Sequence, residues 1–171
     1  MGLPSREASF YGMGSHVVVD IGSLLFAGHP MLLDESLELP PFASFRFPDP
    51  AHVGFELRRV DRGVQIDGFI EVTACGECNR CLSDVELPLK IDVDERLDPS
   101  QTGDDPLGEN NVLNGSALDI GDLVRQLVTS ALPYRVVCSE ECRGLCTTCG
   151  RSKNPGGGCD CPVTEGDDGE S

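Results

Sequence analysis

Hydrophobic and polar residues alternate most clearly between Val53 and Ala74. Phe55, Leu57 and Val60 lead into Asp61-Arg62-Gly63, a turn sequence, after which Val64, Ile66 and Gly68 alternate with Gln65 and Asp67. Phe69 beside Ile70 interrupts the period, and Val72 and Ala74 resume it. A period of two broken by a glycine-containing turn predicts an antiparallel hairpin. Val85, Leu87, Leu89, Ile91 and Val93 alternate with polar residues and Pro88, which predicts a further half-buried strand lying on an edge. The β-branched run His16–Ile21 predicts a first strand, and Met31–Leu39 and Ala43–Phe47 two more, separated by Pro40 and Pro41.

A different period governs residues 119–131. Ile120, Leu123, Val124, Leu127, Val128 and Ala131 share one helical face, Asp119 is placed to cap the N-terminus, and Pro133 ends the helix. Such a stripe packs on its own sheet. Residues 1–14 show no period and are expected to form a flexible arm. Residues 92–111 carry seven acids against the single base Arg96, and predict a mobile acidic loop. The acidic end, 162–171, is expected to be disordered.

Composition narrows what such a chain does. Its 171 residues carry 13 Lys and Arg against 29 Asp and Glu, a formal charge of −16. Generalised attraction to nucleic acid or to anionic lipid is thereby disfavoured. No apolar run is long enough to span a bilayer, and the first residues hold no apolar block of signal-peptide length, so a cytoplasmic protein is expected. With 5% aromatic residues and no Trp, the core must rest on Val, Leu and Ile.

The nine cysteines carry the chemistry. They are Cys75, Cys78, Cys81, Cys138, Cys142, Cys146, Cys149, Cys159 and Cys161. An odd number in a reducing compartment reads as metal binding rather than a disulfide framework. Cys78-x2-Cys81 and Cys146-x2-Cys149-Gly150 have the form of zinc knuckles, in which a short turn brings two sulfurs to one ion. A redox dithiol needs its C-x2-C at a helix start, whereas Cys81 is followed by a strand pattern. An iron–sulfur cluster uses the same four thiolates, but the knuckle with its glycine favours zinc. Cys75 reads as a small buried hydrophobe.

Eight cysteines divide in two ways. Cys78 and Cys81 join Cys138 and Cys142, leaving Cys146, Cys149, Cys159 and Cys161 as a second site; or Cys138, Cys142, Cys146 and Cys149 form one local site. The first division is favoured because it ties the sheet to the segment after the helix. One or two zinc ions are expected. All-thiolate sites are closed, His16, His29 and His52 lie far upstream, and no HExxH, P-loop or GxGxxG occurs, so no enzymatic activity is expected. The sequence thus predicts an α+β fold: a mainly antiparallel β-sheet with one amphipathic helix over residues 15–137, and a small Cys-rich zinc-stabilised module over 138–161.

Three parts of this pattern resemble the YceD-like family of large ribosomal RNA subunit accumulation proteins, over roughly residues 16–161. Cys78-Asn79-Arg80-Cys81-Leu82 resembles the family's C-x-R-C-L signature, and a helix ending in Ala131-Leu132-Pro133 follows an acidic gap. Cys138-x3-Cys142-Arg143-Gly144-Leu145-Cys146-x2-Cys149-Gly150 resembles its C-terminal block. The resemblance implies a bacterial or organellar ribosome-assembly factor without enzymatic activity. Cys78, Arg80 and Cys81 would form one functional unit, and Cys138, Cys142, Cys146 and Cys149 the other.

Electrostatics limits how such a factor works. A chain of charge −16 is repelled by RNA and attracted by basic ribosomal proteins. The expected partner is a basic ribosomal protein or a pre-ribosomal large-subunit particle. Within 138–161, Arg143, Arg151 and Lys153 balance Glu140, Glu141 and Asp160, so these bases with Arg80 are the candidates for limited RNA contact. The alternatives are a zinc-binding interaction or regulatory protein unrelated to ribosomes, and a thiol-redox or metal-transfer protein using Cys78 and Cys81.

Overall fold

The computed structural model describes residues 17–99, 112–113 and 115–161. The expected arm, the second part of the acidic loop and the expected disordered tail lie outside them. Along the chain come β1 (Val18–Asp20), α1 (Gly22–Ala27), β2 (Met31–Leu37), β3 (Ala51–Val60), β4 (Gly63–Glu77), β5 (Asp84–Pro99), β6 (Val112–Leu113), β7 (Ala117–Asp119) and α2 (Ile120–Ala131). Two compact units result. One comprises Met1–Cys75 with Leu87–Leu132, the other Gly76–Glu86 with Pro133–Ser171. The Cys-rich unit therefore includes 76–86 as well as the expected 138–161.

The first unit is built on a five-stranded sheet in the order β2-β3-β4-β5-β6, beside a two-stranded pair of β1 and β7. β2 and β3 pair antiparallel from Met31↔Leu57 to Leu37↔Ala51. β3 and β4 form the expected hairpin, closing at Val60↔Gly63 around Asp61, whose φ of 55° supplies the turn. The pairs Gln65–Asp94 and Glu71–Lys90 run in opposite order along β4 and β5, as antiparallel neighbours require. Among the described residues only β6 pairs in parallel, through Asp98↔Val112 and Pro99↔Leu113. Pro88 lies well before that pairing, on a stretch of β5 that β6 does not pair.

Two expectations are corrected along these strands. Alternation in β4 is unbroken, because Val64, Ile66, Ile70, Val72 and Ala74 are all buried and share one face. Phe69 belongs to the opposite face. Its ring lies where a Cβ on Gly54 would stand, 2.6 Å from that position, edge-on to His52 with Lys90 over it. The second correction concerns residues 92–99, which are strand rather than loop. Val93 and Leu97 continue the buried set, while Asp92, Asp94 and Asp98 take the exposed positions between them. A period of two permits this: high acid content on one face leaves the other free to pack.

Around the sheet the remaining elements complete one core. Ile120, Leu123, Val124 and Val128 of α2 join Leu24 of α1, Val19 and Leu118 of β1 and β7, and the buried face of β2–β5. Each fully buried aliphatic side chain of this kind contributes about 1.5–3 kcal/mol. The Asp119 carboxylate accepts the Asp122 N–H at 2.9 Å, the expected N-cap, and Leu132 leaves the helix in an extended conformation before Pro133. The stripe on α2 thus serves the core, although Ala131 is exposed. The α1 helix was not expected; six residues are too few to establish a helical period. Ala43–Phe47 forms isolated bridges, Phe42 with Phe45 and Arg46 with Cys75, instead of a strand.

Candidate metal centre

All eight cysteines of interest lie in the second unit, in two groups of four. Cys78, Cys81, Cys138 and Cys142 form one, Cys146, Cys149, Cys159 and Cys161 the other, and within each group the sulfurs lie within 4.8 Å of one another. This is the first of the two divisions derived from the sequence. Cys75 joins neither; its N–H and C=O pair with Arg46 at 2.8 Å each. It is half-buried, not the fully buried residue expected.

Each group starts from the same backbone turn. The Leu82 N–H donates to the Cys78 carbonyl at 2.9 Å, and the Cys78 N–H to the Ser83 carbonyl at 2.8 Å. Four and five residues after Cys146 the pattern repeats: Gly150 N–H to the Cys146 carbonyl at 2.8 Å, Cys146 N–H to the Arg151 carbonyl at 2.7 Å. The fifth residue is left-handed in both, with φ of 69° at Gly150 and 58° at Leu82. Glycine takes that conformation freely, whereas for leucine it costs about 1–2 kcal/mol. Leu82 is nonetheless 62% exposed.

The residues between Cys78 and Cys81 hold the second segment in place. Asn79 acts as a strand would: its N–H donates to the Val136 carbonyl at 2.8 Å, and its Oδ1 accepts the Val136 N–H at 2.7 Å. Arg80 donates from Nη1 to the carbonyls of Cys142 (3.1 Å) and Glu140 (3.4 Å), and its own carbonyl accepts the Leu145 N–H. Arg80 thus fastens the loop that carries Cys138 and Cys142. Arg151 similarly donates to the Gly158 carbonyl at 3.0 Å, while the side chains of Arg143 and Lys153 lie at exposed positions.

Sulfur geometry fits a tetrahedral ion. Four thiolates about 2.3 Å from one metal stand about 3.8 Å apart. The observed separations are 3.8 Å for Cys78–Cys142, 3.5 Å for Cys81–Cys138 and 3.6 Å for Cys149–Cys159. Hydrogen bonds to sulfur accompany them. The Arg80 N–H lies 3.4 Å from Cys78 Sγ, Ser83 Oγ 3.1 Å from Cys81 Sγ, and Asn154 Nδ2 3.5 Å from Cys142 Sγ.

Ionisation divides within each group. Burial opposes the Cys78 thiolate, yet backbone N–H groups of Cys138, Arg80 and Cys81 outweigh it and bring the pKa down to about 6. Backbone N–H groups of Cys149 and Thr148 bring Cys146 to about 6 likewise. The Ser83 hydroxyl lowers Cys81. Neighbouring sulfurs act in the other direction: Cys142 and Cys81 push Cys138 up to about 11, and Cys149 above all pushes Cys161 to about 12. Four thiols this close cannot all ionise without a cation among them. The donor set accordingly suits a divalent metal.

Of the residues read from the sequence, the eight cysteines converge and Arg80 and Arg151 serve the scaffold. Among the described residues, each group of four is made of cysteine alone. His52 sits in the first unit against Asp34 and Phe69. Sequence reasoning missed Asn79, Ser83 and Asn154. The place of Asn79 inside a C-x2-C turn was a usable signal; nothing near Asn154 pointed to sulfur.

A β-sheet unit joined to a compact unit holding two four-cysteine clusters defines a small α+β protein whose clusters could each hold a metal ion. The chain belongs to the YceD family, described as large ribosomal RNA subunit accumulation protein, whose sequence model matches residues 66–168. Uncharacterized proteins of Mycobacterium bovis and Mycobacterium tuberculosis are each 29% identical over 144 residues, covering 71% of this chain and 70% of the relative. An uncharacterized protein of Mycobacterium leprae is 25% identical over 109 residues, covering 60% of this chain and 49% of its own length. No solved structure matches. Among the described residues no helix is long and apolar enough to cross a membrane.

Proposed function

We propose that the chain is a non-enzymatic ribosome-assembly factor that supports accumulation of the large-subunit RNA, with zinc in both four-cysteine clusters as a structural ion. The observation that carries this reading is the position of the family match: residues 66–168 contain every cysteine of both clusters. Zinc suits two all-sulfur sets presented on knuckle turns, and needs no open coordination position there.

Charge supports docking on a basic protein or a protein-rich pre-ribosomal particle of the large subunit. On the exposed face of β3–β5, Arg58 already faces Asp67 and Glu56, Lys90 faces Glu71, and Arg96 faces Asp98 and Asp61. Asp92 and Asp94 add further carboxylates at exposed positions. Such a face attracts cationic partners and repels phosphate. Arg143 and Lys153 remain the candidates for local RNA contact.

The test is depletion of the protein followed by a sucrose gradient, together with capture of the tagged chain at low salt. A fall in large-subunit relative to small-subunit particles, with basic ribosomal proteins captured and lost as salt rises, is the expected result. An unchanged particle ratio contradicts the assembly role. Thiol-redox work requires a reachable dithiol, and Cys78 is 0% exposed. Rapid alkylation of Cys78 and Cys81 in the metal-loaded chain would favour that alternative.

A further inference from the structure

The two clusters are joined by one side chain. Asn154 lies in the loop between Cys149 and Cys159, both of the second cluster, yet its amide faces the sulfurs of the first. Nδ2 is 3.5 Å from Cys142 Sγ and 4.0 Å from Cys138 Sγ, while Oδ1 accepts the Arg143 N–H at 2.8 Å. That acceptor bond fixes which way the amide points: the oxygen must meet Arg143, so the NH2 group turns to sulfur.

Donors are shared unevenly over the first cluster. Cys78 receives the Arg80 N–H and Cys81 meets the Ser83 hydroxyl, both from its own turn. Cys142 meets the Asn154 amide at 3.5 Å, and Cys138, which the Ser83 hydroxyl also reaches, meets it at 4.0 Å. Four thiolates around a divalent ion retain two negative charges, and N–H donors to sulfur offset that excess. Cys142 above all therefore draws its donor from a loop whose ends belong to the second cluster.

That loop is itself well braced. The Lys153 N–H donates to the Gly144 carbonyl at 2.9 Å, the Asn154 N–H to Ser152 Oγ at 3.2 Å, and the Gly157 N–H to the Asn154 carbonyl at 2.9 Å. Gly157 cannot carry a side chain, since a Cβ there would stand 2.1 Å from the Ser152 carbonyl oxygen. Cys149 and Cys159 close the loop at its two ends.

We infer that Asn154 is a positioning residue that couples the two metal sites, so that a metal ion in the Cys146–Cys161 cluster strengthens binding in the Cys78–Cys142 cluster. Filling the second cluster ties Cys149 to Cys159 and holds the Asn154 amide against Cys138 and Cys142. By linkage, an ion in the first cluster strengthens the second by the same factor. This inference rests on the reading of both clusters as metal sites.

The experiment is equilibrium competition between the zinc-loaded full chain and a chelator, with thiol alkylation and peptide mapping to read each cluster separately. Asn154→Ala removes both bonds without adding charge; Asn154→Asp keeps an oxygen that accepts from Arg143 but puts a carboxylate charge in place of the donor. Both variants should weaken zinc retention by Cys78, Cys81, Cys138 and Cys142 about 10- to 100-fold. Retention by the other four cysteines should then fall only as far as the lost coupling requires. Replacing Cys159 and Cys161 by Ser should weaken the first cluster in the natural chain but add nothing in the Asn154→Asp background. If Asn154→Asp leaves the first cluster unchanged, or if the Cys159/Cys161 change weakens it equally in both backgrounds, the coupling is refuted. A natural chain that holds no zinc at all would overturn the metal reading itself.

Discussion

At the scale of single residues, the molecule spends polar side chains on holding sulfur in place. Asn79 shows this most clearly, since both its backbone and its carboxamide engage Val136. Asn79→Ala should cost about 1–2 kcal/mol, by leaving the Val136 N–H without its partner. Thermal melting of the metal-loaded chain measures that loss, and an unchanged midpoint would show the clamp to be idle. Thiol ionisation makes a second residue-scale prediction for the metal-free, reduced protein. Cys78 and Cys146 are lowered to about 6 from an ordinary 9.0, so the stability they lend is complete above pH 9 and is lost as pH falls through 6. Cys138 and Cys161 are raised to about 11 and about 12, so theirs is complete below pH 9 and is lost as pH rises through those values. Denaturant midpoints should therefore peak near pH 9, and a flat profile would contradict this division of charge.

At the scale of elements, the test lies in β5. Leu97 is buried in the core although acidic residues surround it in sequence. Leu97→Ala should destabilise the protein by about 2–4 kcal/mol, while Asp92→Ala on the exposed face should stay within about 0.5 kcal/mol. Equal, small effects in urea unfolding would return residues 92–99 to the status of a loop. The hairpin of β3 and β4, strand β2 and helix α2 with its Asp119 cap were legible because each has a long, uniform period or a distinct stop signal. Strand β5 was cut short because its composition outweighed its alternation, where Val93 and Leu97 were the residues to follow. Phe69 misled for a related reason: a large apolar residue on the outer face fills the space above Gly54, a contact that sequence spacing does not reveal. The short helix α1 offered too few positions to display any period. For the candidate metal centre, the spacing of cysteines singled out the eight sulfurs that converge and favoured the observed grouping, because residue type and turn length are local properties. Asn154 was invisible because its role depends on a loop returning to sulfurs 12 and 16 residues away.

For the whole molecule, charge and cysteine are divided between the units. Residues 76–86 and 133–161 carry five cations against six carboxylates, nearly balanced within a chain of charge −16. The acidic excess belongs to the rest of the chain, while the cysteine-rich unit, whose buried cluster is small, is the part that a bound ion would stabilise most. The central claim is that both four-cysteine clusters hold metal. Native mass spectrometry of the protein, purified without chelators and under reducing conditions, tests it most directly: the account predicts two zinc ions per chain, and eight cysteines that alkylate freely only once the zinc is stripped. A folded chain with no bound metal and eight freely alkylated cysteines would contradict it.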